Sequence, residues 1–157
     1  MESELKARLA TWTDVVRRLA AAYPEAIERG DTLEIAVPVP PTGGMGSSAS
    51  ARCAIEVRRV DVAGATWIRL SSRLGSMRHL TPIDLLSENA RSTVGVSCAN
   101  DGELALRQLV PLVGLDAAAL DETVRDLAEA AASSRSRLAA MGAPLEAWAL
   151  PGGRGRT

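Results

Sequence analysis

A long hairpin pattern in the middle of the chain constrains the fold more than any other feature. Residues 52–62 and 65–74 have strand character and flank a turn at residues 61–64, where Gly64 is free to take positive φ. Apolar residues alternate along one face of both strands: Cys53, Ile55, Val57, Ile68 and Leu70. The opposite face carries charged side chains and one tryptophan. The pattern predicts an antiparallel sheet with one face on the core and the other in water.

Alternating apolar residues predict three further strands. Residues 32–39 have the pattern of a half-buried strand. Residues 92–99 and 103–110 flank the sequence Asn100-Asp101-Gly102, which is a strong hairpin-turn signal. The sheet is therefore expected to contain about five strands in all, by the period-two alternation of each segment.

A glycine-rich stretch at residues 40–50 separates two of these strands. It resembles a phosphate-binding loop only superficially, because no lysine precedes the serines and a strand, not a helix, follows. We therefore predict a hairpin loop here, without a phosphate site.

Helix signals lie at both ends and near the centre of the chain. Apolar residues recur at spacings of three and four in residues 3–23, 81–91 and 116–141. Ser3, Thr81 and Asp116 are the expected N-caps of these helices. Pro24 lies where the first helix should stop, because proline disfavours the helical conformation in the residue before it.

The order of elements is helix, three strands, helix, two strands, helix. Because helices and strands do not alternate strictly, this order predicts an α+β fold with a single antiparallel sheet and helices packed on one face. The 157 residues are enough for one domain, which we assign to residues 1–150. Residues 151–157 are expected to be a disordered C-terminal tail.

The charge balance argues against a dedicated nucleic-acid binder. The chain has 18 basic and 19 acidic residues and a formal net charge of −1. Nucleic-acid-binding domains are usually clearly basic. A nucleic acid is accordingly not expected as the partner.

The cysteines and the hydropathy pattern indicate the compartment. Cys53 and Cys98 both lie in apolar strand patterns, which predicts buried free thiols, not a disulfide framework. The sequence starts with acidic residues, and no apolar run approaches the length of a membrane span. We therefore expect a bacterial-type cytoplasmic protein that does not associate with membranes.

The C-terminal half carries a short series of motifs. A strand that includes Val96 and Cys98 ends in the Asp-Gly turn, and Leu109-Val110-Pro111-Leu112 then leads to a helix that opens at Leu115. Together with the element order over residues 3–141, these motifs resemble the type III secretion chaperone-like fold, and in particular YbjN-like bacterial proteins. The resemblance concerns the scaffold and transfers no catalytic residues.

The resemblance implies a non-catalytic protein-binding function. Secretion chaperones of this fold dimerise and hold an extended stretch of a partner along a hydrophobic surface. The expected protein therefore shields or positions a partner protein, forms a homodimer as those chaperones do, and needs neither a cofactor nor a metal.

The charged face of the central hairpin is the candidate binding surface. Its residues, with one from the following segment, are Arg58, Trp67, Arg69, Arg73 and Arg78. Tryptophan and arginine are enriched at binding hot spots, which favours a protein partner. Two alternatives remain open: a solvated sheet face partly neutralised by Glu56, and a regulatory domain that binds a small anionic ligand at these arginines.

A small enzyme is the third alternative. His79 is the only histidine, and Asp84 is the nearest carboxylate that could position it as a general base. A metal site needs at least three convergent ligands, which one histidine and two separated cysteines do not supply. We therefore assign no catalytic residue and no metal ligand.

The remaining aromatic residues fall into two groups. Trp12 and Tyr23 lie on the apolar stripe of the first helix and are expected to pack in the core. Trp148 lies beyond the last regular element, so it either packs back onto the domain or contacts a partner.

Overall fold

All the strands described in the computed structural model belong to one antiparallel sheet. The structure describes residues 7–40, 51–76, 89, 94, 96–100 and 103–140. The elements in these ranges are α1 (Trp12–Ala22), β1 (Ile27–Arg29), β2 (Thr32–Val39), β3 (Ala51–Val62), β4 (Ala65–Ser76), β5 (Val96–Asn100), β6 (Glu103–Pro111) and α2 (Ala117–Ala140). The predicted α+β class with a single antiparallel sheet is confirmed.

The predicted hairpin forms the centre of the sheet. Strands β3 and β4 are joined by a two-residue turn in which Ala63 and Gly64 both have positive φ, 51° and 79°. Two positive φ values are the signature of the type I′ turn, whose twist matches that of the strands it connects. The strand order across the sheet is β1-β2-β3-β4-β6-β5, so β6 pairs with β4 and β5 lies at the edge.

Helix α2 covers one face of the sheet. It packs across β2, β3, β4 and β6 and buries the apolar face of each. The largest fully buried side chains are Leu19, Leu33, Ile35, Ile55, Ile68, Leu70, Leu104, Leu106, Leu120, Leu127, Leu138 and Val15. These residues confirm the aliphatic face predicted for the central hairpin, and Asp116 caps α2 as predicted by accepting a hydrogen bond from the Ala119 amide at 2.7 Å.

The first helix begins later than predicted. It starts after the N-cap Thr11 and ends before Tyr23, and residues 7–11 are not helical. The predicted N-cap Ser3 lies outside the described residues. The Thr11 hydroxyl accepts from the Asp14 amide while the Asp14 carboxylate accepts from the Thr11 amide, which is a capping box. This reciprocal pair stops the apolar stripe from continuing as helix towards the N-terminus.

The segment before α1 is extended instead of helical. The Leu9 amide donates to the Leu115 carbonyl at 2.9 Å, and the Ala117 amide donates to the Ala7 carbonyl at 3.1 Å. These bonds tie the segment to the residues that precede α2. Tertiary pairing therefore replaced helix propensity over this stretch.

Three smaller points complete the fold. Strand β1 adds a sixth strand at Ile27–Arg29, where the sequence pattern predicted no element. Apart from Pro40, the predicted loop at 40–50 lies outside the described residues, as does the predicted tail at 151–157. So does the predicted helix at 81–91, apart from Asn89.

Candidate functional site

The face of the sheet opposite α2 combines arginines with apolar side chains. We call it the open face, and on its three central strands it consists of Arg52, Ala54, Glu56, Arg58, Val60, Val62, Ala65, Trp67, Arg69, Ser71, Arg73, Glu103, Ala105, Arg107, Leu109 and Pro111. Away from the hairpin turn, these residues alternate in sequence with the buried residues beneath α2. The alternation places the two sets on opposite faces of the sheet, and Ala54 is the one residue of the open face that is itself buried.

The structure brings together four of the five predicted binding residues. Arg58 and Arg69 face each other across β3 and β4, and Trp67 and Arg73 lie on β4 two residues before and four residues after Arg69. Arg78, the fifth, lies outside the described residues. Trp67, Arg69 and Arg73 are half-buried, whereas Arg58 is exposed.

Arg107 belongs to the same surface but was not among the predicted site residues. It lies on β6 directly across from Ser71, so its position is flanked on β4 by those of Arg69 and Arg73. Because Arg107 alternates with the apolar residues of β6, the sequence could have indicated that it lies on the face away from the core. The pairing of β6 with β4, which the sequence does not specify, is what adds it to the arginine group.

One end of the open face is apolar. Val60 pairs with Trp67, and Trp67 pairs with Pro111 on its other side. Leu109 and Val62 are each 53% exposed. Large apolar side chains left outside the core next to a tryptophan are typical of a surface that another molecule covers.

The carboxylates of the open face neutralise only some of its arginines. Arg69 contacts Glu56, with 3.5 Å between the guanidinium nitrogen and the carboxylate oxygen, and Arg73 forms an ion pair with Glu103. Arg58 and Arg107 have no carboxylate within ion-pair distance in the described part of the chain. Arg58 is exposed, and Arg107 is half-buried.

A second polar cluster lies on the covered face, where β3 and β4 separate. The β3–β4 ladder ends at the pair Glu56–Ser71, and beyond it the side chain of Arg135 from α2 enters. Arg135 donates to the Arg73 carbonyl, at 2.8 Å from Nε and 2.6 Å from Nη2. It replaces hydrogen bonds that the ladder no longer supplies.

Two buried side chains complete this cluster. The Ser72 hydroxyl donates to the Ala54 carbonyl at 2.9 Å and accepts from Arg135 Nη2 at 2.9 Å. Arg135 Nη1 lies 3.6 Å from the Cys53 sulfur. Cys53 is a free thiol with no solvent exposure, as the sequence predicted, so it has no access to a substrate. The cluster joins α2 to the sheet through hydrogen bonds at the point where the two strands separate.

A small cleft lies beside the edge of β2. Its volume is about 270 Å³, and it is lined by Ala22, Tyr23, Pro24, Glu25, Ala36, Pro38 and Arg52. Burial, and then the charge of Asp121, raises the pKa of the Tyr23 phenol. Glu25, the one carboxylate of the lining, is paired with Arg52, and no histidine lines the cleft.

The two residues of the predicted enzymatic alternative, His79 and Asp84, lie outside the described residues. Trp148 does so as well, and of Cys98 only the backbone pairing with Ala105 is described. Trp12 and Tyr23 pack partly buried against the core, as predicted. Among the described residues no group of three or more His, Cys, Asp or Glu side chains could hold a metal ion.

No protein-family model matches the chain, and no curated protein sequence matches it. Neither helix in the described ranges is long and apolar enough to cross a membrane. The functional conclusion therefore depends on the chemistry of the open face.

Proposed function

We propose that the protein is a non-catalytic binding module that holds a partner protein on the open face of its sheet. This is the function that the resemblance to secretion chaperones and YbjN-like proteins implies, and we propose membership of that group with it. The observation that carries the proposal is the juxtaposition of Trp67 and Leu109 with Arg58 and Arg107 on a face that α2 does not cover. Aromatic and arginine side chains in one patch are the usual composition of a binding hot spot.

The shape of this surface also favours a macromolecular partner. The sheet face is broad, and its exposed apolar side chains are spread over three strands. Small-molecule sites are concave and bury most of their ligand. A protein segment laid along the strands would cover the apolar end and reach the arginines at the same time.

We place this function in the bacterial cytoplasm and propose a homodimer as the working form, as in the chaperones it resembles. The buried free thiol of Cys53 supports a reducing compartment. The oligomeric state is open to direct measurement by light scattering on the purified protein.

Site-specific photo-crosslinking in cells tests the proposed function. A photoreactive phenylalanine analogue is placed at Leu109 on the open face, and in a matched control at Glu122, an exposed position on α2. We expect a discrete crosslinked protein from position 109 and none from position 122. Equal crosslinking from both positions, or none from position 109, contradicts the proposal.

A further inference from the structure

The charge of the open face identifies the chemistry of its partner. On strands β3, β4 and β6, around the position of Ser71, this face carries four arginines and two glutamates: Arg58, Arg69, Arg73, Arg107, Glu56 and Glu103. These three strands have two positive charges in excess, and Glu34, which pairs with Glu56 from β2 on the same face, lowers the local excess to one. The patch is therefore positive, whereas the whole chain has a net charge of −1. Such a local excess attracts a segment of opposite charge.

The excess is concentrated at two side chains. Arg58 and Arg107 are the arginines of the patch without a carboxylate in the described part of the chain. Arg107 is half-buried, and its Nε is buried without a hydrogen-bond acceptor, as is the Nε of the neighbouring Arg69. Buried donors without acceptors are uncommon in native proteins and are usually satisfied by a ligand or an ordered water.

We propose that the open face receives an acidic extended segment of the partner protein. A carboxylate of this segment lies over Ser71 and accepts hydrogen bonds from Arg69 and Arg107, while an apolar side chain packs on Trp67 and Leu109. This inference rests on the proposed function, because it names the chemistry of the partner at the same site.

The spacing along β6 defines the pattern of that segment. Arg107 and Leu109 are two residues apart on one strand, which is about 6.8 Å. An extended segment that runs along the strands repeats its own side chains at the same interval. An acidic residue followed two positions later by an apolar residue therefore matches both halves of the site.

The same charges disfavour a second copy as the occupant. Two open faces brought together would oppose two patches that each carry the same positive excess. Like charges brought together at an interface disfavour association. The homodimer that we propose must accordingly use another surface, and the open face remains available for the acidic segment.

Fluorescence anisotropy with a defined peptide tests the inference. The probe is a fluorescein-labelled peptide of three Glu-Thr-Leu-Thr repeats, compared with peptides in which lysine replaces glutamate or serine replaces leucine. We expect saturable binding of the first peptide at a one-to-one ratio, no binding of the lysine peptide and weaker binding of the serine peptide. Equal binding of the lysine peptide overturns the inference.

Matched arginine variants locate the binding. Arg107→Gln should weaken the Glu-Thr-Leu-Thr peptide about tenfold, the loss expected for one charge-assisted hydrogen bond. Arg125→Gln removes the same charge from an exposed position on α2 and should leave the affinity unchanged within about twofold, as expected for a distant surface charge. Equal effects of the two variants would show charge attraction without a site, and they would overturn the inference.

A third variant supplies a carboxylate of the protein itself in place of the partner's. Ser71→Asp places a carboxylate among the arginines, so we expect it to abolish peptide binding while the melting temperature is kept or raised. Retained peptide binding by this variant overturns the inference.

A single-stranded oligonucleotide of the same charge serves as competitor of the peptide. If the oligonucleotide binds more tightly than the peptide, the acidic-segment inference is also overturned.

The two proposals fail in different ways. If Arg107→Gln leaves the crosslink from position 109 intact and the peptide does not bind, the open face binds a protein but not through an acidic segment. If position 109 gives no crosslink, the proposed function fails whatever the peptide does. Loss of the crosslink in Arg107→Gln but not in Arg125→Gln supports both.

Discussion

The two faces of the sheet are built from the same strands and differ in almost every physical respect. On β4, Ile68 and Leu70 have no solvent exposure, whereas the intervening Arg69 is half-buried and pairs with Glu56. The covered face is aliphatic and packs against α2. The open face places the long arginine side chains beside a tryptophan, and the side chains of Arg69, Arg73 and Arg107 are partly buried there.

This difference indicates which property of the protein constrains the residues of each face. Substitution of an aliphatic residue beneath α2 disturbs the close packing of the core, so the need for stability constrains the residues of the covered face. The open face has no such constraint, and its composition can be devoted to recognition. We therefore expect substitutions on the covered face to change folding and substitutions on the open face to change binding.

The largest effect should come from a matched pair of leucine truncations. Leu70→Ala leaves a cavity in the core and should lower the free energy of unfolding by about 3 kcal/mol. Leu109→Ala removes the same atoms from a side chain that is 53% exposed and should change it by less than about 0.5 kcal/mol. Urea unfolding followed by circular dichroism measures both. Similar losses in the two variants would mean that the open face is part of the core.

A smaller effect should follow from removal of the arginine on the covered face. Arg135→Met keeps much of the side-chain volume but leaves the Arg73 carbonyl and the Ser72 hydroxyl without their donor. We expect a loss of about 2 kcal/mol, in the range for buried polar groups left unsatisfied. Arg125→Met on the exposed side of the same helix is the control and should change stability by less than about 0.5 kcal/mol.

A double-mutant cycle sharpens this result. Ser72→Ala removes one acceptor of Arg135 and one donor to the Ala54 carbonyl, so it should cost about 1 kcal/mol alone. Combined with Arg135→Met, the two losses should not add, because both variants break the same hydrogen bond. Strict additivity would show that the two side chains act independently.

The cap of α1 should give the next smaller effect. Thr11→Ala removes the hydroxyl that accepts from the Asp14 amide and should lower the free energy of unfolding by about 1 kcal/mol. Thr11→Ser keeps the acceptor and is the control. An unchanged melting temperature in Thr11→Ala would mean that the pairing of residues 7–9 alone determines where the helix begins.

The same cap predicts a weak dependence of stability on acid. Hydrogen bonds from the Thr11 hydroxyl and amide hold the pKa of Asp14 below its ordinary value of 3.8. A carboxyl group whose pKa is lowered by folding adds stability above its unfolded pKa and loses it as the pH falls through the folded pKa. Between pH 3.8 and that lower folded pKa, Thr11→Ala should therefore flatten the dependence of stability on pH, which acid titration of the melting temperature measures. A wild-type slope retained in Thr11→Ala would contradict this origin.

The central part of the fold was predictable because it depends on local patterns. Alternation in residues 32–39 and 52–74 specified the strands and their buried sides, and Gly64 specified the turn between them. The same alternation placed Arg58, Trp67, Arg69 and Arg73 on the face away from the core. Each of these inferences needs only the period of two residues that an extended chain imposes.

The sequence by itself therefore determined the class of fold, the covered face of the sheet and most of the arginine patch. The tertiary structure decided that β6 lies beside β4, which adds Arg107 to the patch, and that Arg135 reaches the gap where β3 and β4 separate. It also decided that α1 begins after Thr11. Strand neighbours, side-chain insertions and helix starts of this kind depend on contacts between residues far apart in sequence, which a local pattern of hydrophobicity does not encode.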